Sequence, residues 1–405
     1  MEVKPGYRQT EIGILPLNWG IRTLRSMTSL LTNGFVGKAT DHYVQSDDGV
    51  LYIQGYNIEE NNFNLHGIKR VSKEFHNLHK KSCLQCGDLL TIQTGDIGVT
   101  AVVPEYLAGA NCHALIISRF FKDSIDPFFY CHYFNSEKIR SQFKEIETGT
   151  TMKHLNVGDL AVMQFPVPPL PEQRTIATAL SDADARITSL DQLIAKKRDI
   201  RQAATQELLT GKRRLPGFNS CKGFKQTEVG VIPKDWNIRK ISDFSPLQRG
   251  FDLPIYHYKS GPHPVVYSNG IMRRHEKAMV KGPGVVTGRS GTIGKVQFIE
   301  EDYWPHNTTL WVTNFKGNDP RFVYYSYQRF DFGRFSSGSG VPTLNRNDFH
   351  SFSIAVPSPE EQRAIATVLS DMDAELAALE QQRDKMKNIK QGMMQELLTG
   401  RIRLV

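Results

Sequence analysis

The chain has 405 residues, 40% hydrophobic and 23% charged, which is the composition of folded domains and not of a disordered or fibrous chain. Lys and Arg total 50 against 42 Asp and Glu, so the net charge is +8 and an anionic partner such as nucleic acid is favoured. No run of about 18 apolar residues occurs and MEVKPGYRQTEIG lacks the apolar core of a signal peptide, so neither a membrane-spanning nor a secreted chain is expected, and a cytoplasmic one is.

In chain order, the first distinctive element is a lead-in segment, QTEIGILPLNWGIR at 9–22, which returns as QTEVGVIPKDWNIR at 226–239 with 8 of 14 positions identical. A variable stretch follows, with apolar runs such as 114–117 that suit strands, separated by Gly and Asn turns. It holds four of the five cysteines, Cys83, Cys86, Cys112 and Cys131, the fifth being Cys221. Cys83 and Cys86 form a CxxC, but a zinc site would need Cys112 and Cys131 as its second pair, and their spacing is wrong for one. Reduced thiols and no metal are expected.

Next comes a helical block. Ile176, Leu180, Ala183, Ile187, Leu190 and Ile194 are spaced 4, 3, 4, 3, 4, the apolar seam of a coiled coil. Residues 173–215 match 362–404 without a gap at 23 of 43 positions, and Ile365, Leu369, Met372, Leu376 and Leu379 repeat the seam, extended by Met386, Met393 and Leu397. Ser358, Pro359 and Glu361 read as N-cap, N1 proline and capping-box glutamate, with Pro171 and Glu172 opening the first copy. Gly211 and Gly400 suit the left-handed residue that closes a helix. Each helix then spans about 38 residues, roughly 57 Å.

The second variable stretch lies between the second lead-in segment and the second helical block, and has a strand-like run at 284–287. Patches GDLLTIQTGDIG (87–98) and GPGVVTGRSGTIG (282–294) correspond, as do GTTMKHLNVGDL (149–160) and GSGVPTLNRNDF (338–349). The chain is therefore two copies of one unit. The second variable domain follows the end of one helix and feeds the start of the other, so the two helices are expected to pair antiparallel, giving a circular, pseudo-twofold repeat.

Enzyme motifs are missing: there is no GxxxxGK[ST], HExxH, GxSxG or [DNS]PP[YF], and the DFG at 331–333 stands without other kinase elements. His42, His113 and His306 lack neighbours spaced for catalysis. No catalytic residue is expected. The candidate contacts to DNA are Gln93, Thr94 and Asp96 of QTGD, Arg289, Ser290 and Thr292 of GRSGT, and the basic pairs Lys69 and Arg70, Lys80 and Lys81, Arg273 and Arg274. Glycine lets backbone approach a phosphate, Arg grips guanine with two hydrogen bonds, and Gln does the same for adenine. Two equivalent loops with different side chains suit two domains that read different sequences. A protein scaffold and a stand-alone DNA-binding regulator are the alternative readings.

The lead-ins TEIGILPLNW and TEVGVIPKDW, the openings PPLPEQRTIATALSDAD and PSPEEQRAIATVLSDMD, and the ends QELLTGKRRL and QELLTGRIRL resemble the specificity subunit of type I restriction-modification systems. The resemblance covers both halves of the chain. It implies a mixed α/β fold with two target recognition domains separated by two long antiparallel coiled-coil helices. The divisions expected are 1–165 (first recognition domain with lead-in), 166–214 (first conserved helical region), 215–354 (second recognition domain) and 355–405 (second helical region). It further implies a non-catalytic subunit that recognises a bipartite, asymmetric DNA target. Two adenine methyltransferase subunits carrying S-adenosylmethionine, and restriction subunits using ATP and Mg, would be its partners, with no cofactor in this chain.

Overall fold

The computed structural model describes residues 4–146, 153–218, 223–337 and 343–404. Cys221 and parts of the two corresponding patches, 149–152 and 338–342, lie outside the described residues. The chain forms two compact units, one made of Met1–Leu190 with Gln382–Val405 and the other of Asp191–Gln381. Each unit therefore contains the beginning of one long helix and the end of the other.

The same architecture is built twice. In the first unit a four-stranded antiparallel sheet has the order Thr28–Asn33, Leu115–Phe120, Leu89–Ile92, Thr100–Val102. In the second the order is Leu247–Arg249, Thr309–Val312, Gly284–Gly288, Val296–Ile299. Leu89–Ile92 is buried at every position, and so is Gly284–Gly288, as expected of central strands covered on both faces. A three-stranded sheet accompanies each: Asn111–Cys112, Val50–Ile53 and Lys69–Val71 in the first unit, and Gly270–His275, Ser260–Tyr267 and Trp304–Pro305 in the second. The fold is mixed α/β, as the sequence predicts.

The long helices span Leu170–Leu208 and Pro359–Leu397, 39 residues each. They run antiparallel wherever they meet. In the first unit Ile176, Ala177 and Leu180 pack with Leu397 and Leu398, and Lys390 pairs with Asp184 at 2.5 Å. In the second, Ile365, Ala366 and Leu369 pack with Ala204, Leu208 and Leu209, while Arg201 pairs with Asp373 at 2.9 Å and Lys197 with Glu375 at 2.6 Å. Of the predicted seam, Ile176, Leu180, Ala183, Leu190 and Ile194 are 3% exposed or less and Ile365, Leu369 and Leu397 are buried, while Ile187, Met372, Leu376, Leu379, Met386 and Met393 are half-buried. Burial of such a seam supplies the stability that propensity alone cannot give a helix.

The repeated EQR of the helix openings has a structural purpose that the capping-box reading only half captures. Ser358 Oγ does accept from the Glu361 backbone N–H at 3.3 Å. The Glu361 carboxylate turns inward, where it accepts from Trp236 Nε1 at 3.0 Å and from Arg214. Glu172 does the same with Trp19 Nε1, at 3.0 Å, and Arg403. A buried carboxylate needs such partners, and here they come from the lead-in segment and from the chain just past the end of the other helix. The next residue ties the helix to its globular domain: Gln173 accepts from the Asp126 backbone N–H at 2.8 Å, and Gln362 from that of Asp319 at 3.0 Å. Asp126 and Asp319 in turn cap the helices Pro127–Phe134 and Pro320–Gln328, each with proline in its first turn.

Candidate nucleic-acid interface

At the end of each buried central strand the chain leaves the sheet in a glycine turn. Gly95 and Gly291 occupy corresponding places, with φ of +87° and +81°, which only glycine adopts without strain. The first turn is fastened by the Leu155 backbone N–H donating to Gln93 O at 2.9 Å, and Thr94 bridges His154. The second is fastened identically: the Leu344 N–H donates to Arg289 O at 2.8 Å, and Ser290 bridges Thr343. Gln93 and Arg289 are thus equivalent residues on equivalent scaffolds. Arg289 is further fixed by its own N–H donating to Thr308 O at 2.8 Å, and a Cβ on Gly288 would lie 1.8 Å from Thr292 O, so this turn closes tightly on itself.

Arg289 opens into a cleft of about 690 Å³. Gln248, Arg249, Asp252, Asn345 and Arg346 also line it. Three guanidinium groups face one carboxylate, and that carboxylate pairs with Arg249 at 3.0 Å. The guanidinium of Arg289 has no hydrogen-bond or ion-pair partner among the described residues, so its planar fork of donors is available to a ligand. Burial pushes the His306 pKa below the ordinary histidine range, and that of its counterpart His113 likewise. The cleft is a cationic recess lined with amide and guanidinium donors, the chemistry that reads phosphates and the edges of guanine and adenine.

The other predicted contacts lie elsewhere in their units. Asp96 and Thr292 are exposed on the two turns. Lys69 and Arg70 lie on the strand Lys69–Val71 of the three-stranded sheet, Lys69 exposed and Arg70 donating to Gly49 O at 2.8 Å. Lys80 and Lys81 project from the 3-10 turn Lys80–Ser82 and are exposed. Arg273 stacks over Tyr258 at 5.2 Å, while Arg274 pairs with Glu301 at 2.6 Å and donates to Pro262 O at 2.8 Å. Arg249, Asn345 and Arg346 escaped sequence reasoning, although the repeated Leu-Asn of Leu155–Asn156 and Leu344–Asn345 marked their neighbourhood. Cys83, Cys86, Cys112 and Cys131 are free thiols, and among the described residues no group of three or more His, Cys, Asp or Glu could hold a metal. No described helix is long and apolar enough to cross a membrane.

The family model described as type I restriction modification DNA specificity domain matches residues 18–196 and 233–388, one match for each copy of the repeat. The chain is 24% identical to the protein named as the MjaX type I restriction enzyme specificity subunit of Methanocaldococcus jannaschii, over 98% of this chain and 97% of that one. It is 23% identical to the type I restriction enzyme EcoBI specificity subunit of Escherichia coli, covering 92% of this chain and 84% of the other. The crystal structure of a type I restriction-modification S subunit from M. genitalium shares the fold with a TM-score of 0.63 at 16% identity, over 94% of this chain and 96% of that chain. A duplicated fold and family matches across both copies together place the chain in the type I restriction-modification DNA specificity family, as a DNA-recognition subunit and not an enzyme.

Proposed function

We propose that the two units read the two halves of a bipartite, asymmetric DNA target and direct adenine methyltransferase and restriction subunits to it. The observation that carries this reading is the equivalence of Gln93 and Arg289, held by the same backbone bond and carrying different side chains. Gln suits adenine and Arg suits guanine, so two scaffolds of one design would select different bases. The exposed Lys80 and Lys81 serve as phosphate contacts, which fix the protein on the duplex without carrying sequence information. In this reading the recognition domains correspond to 1–165 and 215–354, and the helical regions to 166–214 and 355–405. The duplicated helix openings support two equivalent docking places, hence two methyltransferase subunits.

S-adenosylmethionine would be bound by the methyltransferase subunits, and ATP with Mg by the restriction subunits, all in the cytoplasm. Affinity purification of the full chain tests the assembly. A co-purifying methyltransferase, with methyl transfer to DNA only when both chains are present, is the expected result. DNA binding with no associated methyltransferase would indicate a stand-alone regulator, and neither property would indicate a scaffold.

A further inference from the structure

In the second unit the chain leaves the cleft through Phe251 and Asp252 and, three residues on, forms the 3-10 turn Ile255–His257. Ile255 and Tyr256 are each 82% exposed, the most exposed large apolar residues described. The turn carrying them is firmly backed. His275 Nε2 donates to His257 O at 3.2 Å, Tyr258 OH donates to Arg274 O at 3.0 Å, and Arg273 covers the Tyr258 ring. Two apolar side chains are thus held outward on an ordered support, three residues along the chain from a cationic recess.

The first unit has the same turn in the same place. Phe35 bridges His113 as Phe251 bridges His306, and the 3-10 turn Thr40–His42 follows, then Tyr43 as Tyr258 follows its counterpart. Its outward residues are Thr40 and Asp41, polar and exposed as surface residues ordinarily are. The position is therefore solvent-facing in both copies, and only the second copy has placed a bare isoleucine and tyrosine there. Core packing does not explain the change, since neither side chain packs into a core.

We propose that Ile255 and Tyr256 are specificity-determining residues that contact a thymine methyl group in the half-site read by the second unit. This rests on the DNA-reading assignment of the Arg289 cleft. An arginine that reads a guanine edge does so in the major groove, and the 5-methyl of thymine is the apolar group that the major groove displays. An apolar pair carried on the chain that leaves the recess of that arginine, and following the same groove, has the thymine methyl as its matching surface. Arg273 and the Arg274 backbone, on the strand Gly270–His275, contact Tyr258 just past this turn.

The test uses the full chain assembled with its methyltransferase and duplexes selected from a library randomised in each half-site. Thymine in the selected duplex is then replaced by deoxyuridine one position at a time, which removes only the methyl. For the wild type, one such replacement in the second half-site should weaken binding about fourfold, the worth of one buried methyl-sized group. The Ile255→Ser, Tyr256→Ser double variant should bind both duplexes equally while unfolding at the wild-type temperature. A selected half-site without thymine, a wild type indifferent to every deoxyuridine replacement, or a double variant that still prefers thymine would each overturn the proposal. Arg289→Ala run alongside separates the two levels: relaxed selection at the second half-site with an unaffected Ile255, Tyr256 variant removes this inference alone, whereas unchanged selection in Arg289→Ala removes the cleft reading beneath it.

Discussion

At the scale of residues, reading and grip should separate. Arg289 offers a free bidentate donor, and in the proposed reading such a donor would distinguish the right base pair from a wrong one by roughly 1–3 kcal/mol. Arg289→Ala should therefore relax the second half-site and leave the first intact, and Gln93→Ala should do the reverse, as scored by methylation of duplexes randomised in one half-site at a time. Lys80→Ala with Lys81→Ala should weaken binding to every sequence alike and reduce the salt dependence by about one unit for each lysine removed from a phosphate. A different residue sets acid sensitivity. His132 is buried, and burial holds its pKa down to about 4 even though Asp184 lies 3.9 Å away, because that carboxylate is already engaged by Lys390 and Asn61. In the unfolded chain the ring titrates near 6.5, so between about 6.5 and 4 the unfolded state takes up a proton that the folded state refuses. The stabilisation is fully present above pH 6.5 and falls by roughly 3 kcal/mol as the pH drops towards 4. Denaturant unfolding across that range should show the decline, and His132→Gln should make it shallower, leaving the part due to the other buried histidines.

At the scale of elements, the helix ends carry most of the testable stability. Gly211 and Gly400 both have φ of +70°, and a Cβ on either would meet the Pro233 or Pro16 ring at 2.6 and 2.7 Å respectively. Gly211→Ala should cost at least about 2 kcal/mol, since left-handed strain alone is worth about 1–2. Arg403→Ala should cost about 3–5 kcal/mol by leaving Glu172 buried without its cation. Thermal unfolding measures both. These elements were largely legible in the sequence, because a heptad, a terminal glycine and a near-identical repeat are local signals. Glu361 was legible only in part, since its place three residues after Ser358 suggested a cap, while its bond to Trp236 spans 125 positions of chain. The cleft was legible only at Arg289. Arg249, Asn345 and Arg346 lie on segments far apart in sequence, and no spacing rule joins residues that only the pairing of Leu247–Arg249 with Thr309–Val312, and of Ser290 with Thr343, brings to one recess.

At the scale of the whole molecule, the first unit is completed by chain from the opposite end of the sequence, whereas the second is one continuous stretch, Asp191–Gln381. Tyr7 OH donates to Gly400 O at 2.9 Å and Arg403 pairs with Glu172, so the first lead-in segment is sealed by the last residues, as the second is sealed by Arg214. A fragment ending at Leu215 lacks its own seal but carries QELLTGKRRL, the equivalent of the missing QELLTGRIRL. Two such fragments should exchange ends and form a dimer with two identical readers, visible by analytical ultracentrifugation and by methylation of a palindromic version of the first half-site; a folded fragment that stays monomeric at high concentration would contradict the pairing. The claim on which the account depends most is that the two units read independently. Sequencing of methylated bases in cells expressing the chain and its methyltransferase, in wild-type and Arg289→Ala forms, tests this most directly. The expected result is a bipartite motif with two different halves, of which only one changes in the variant. A single uninterrupted motif, or a change in both halves together, would contradict it.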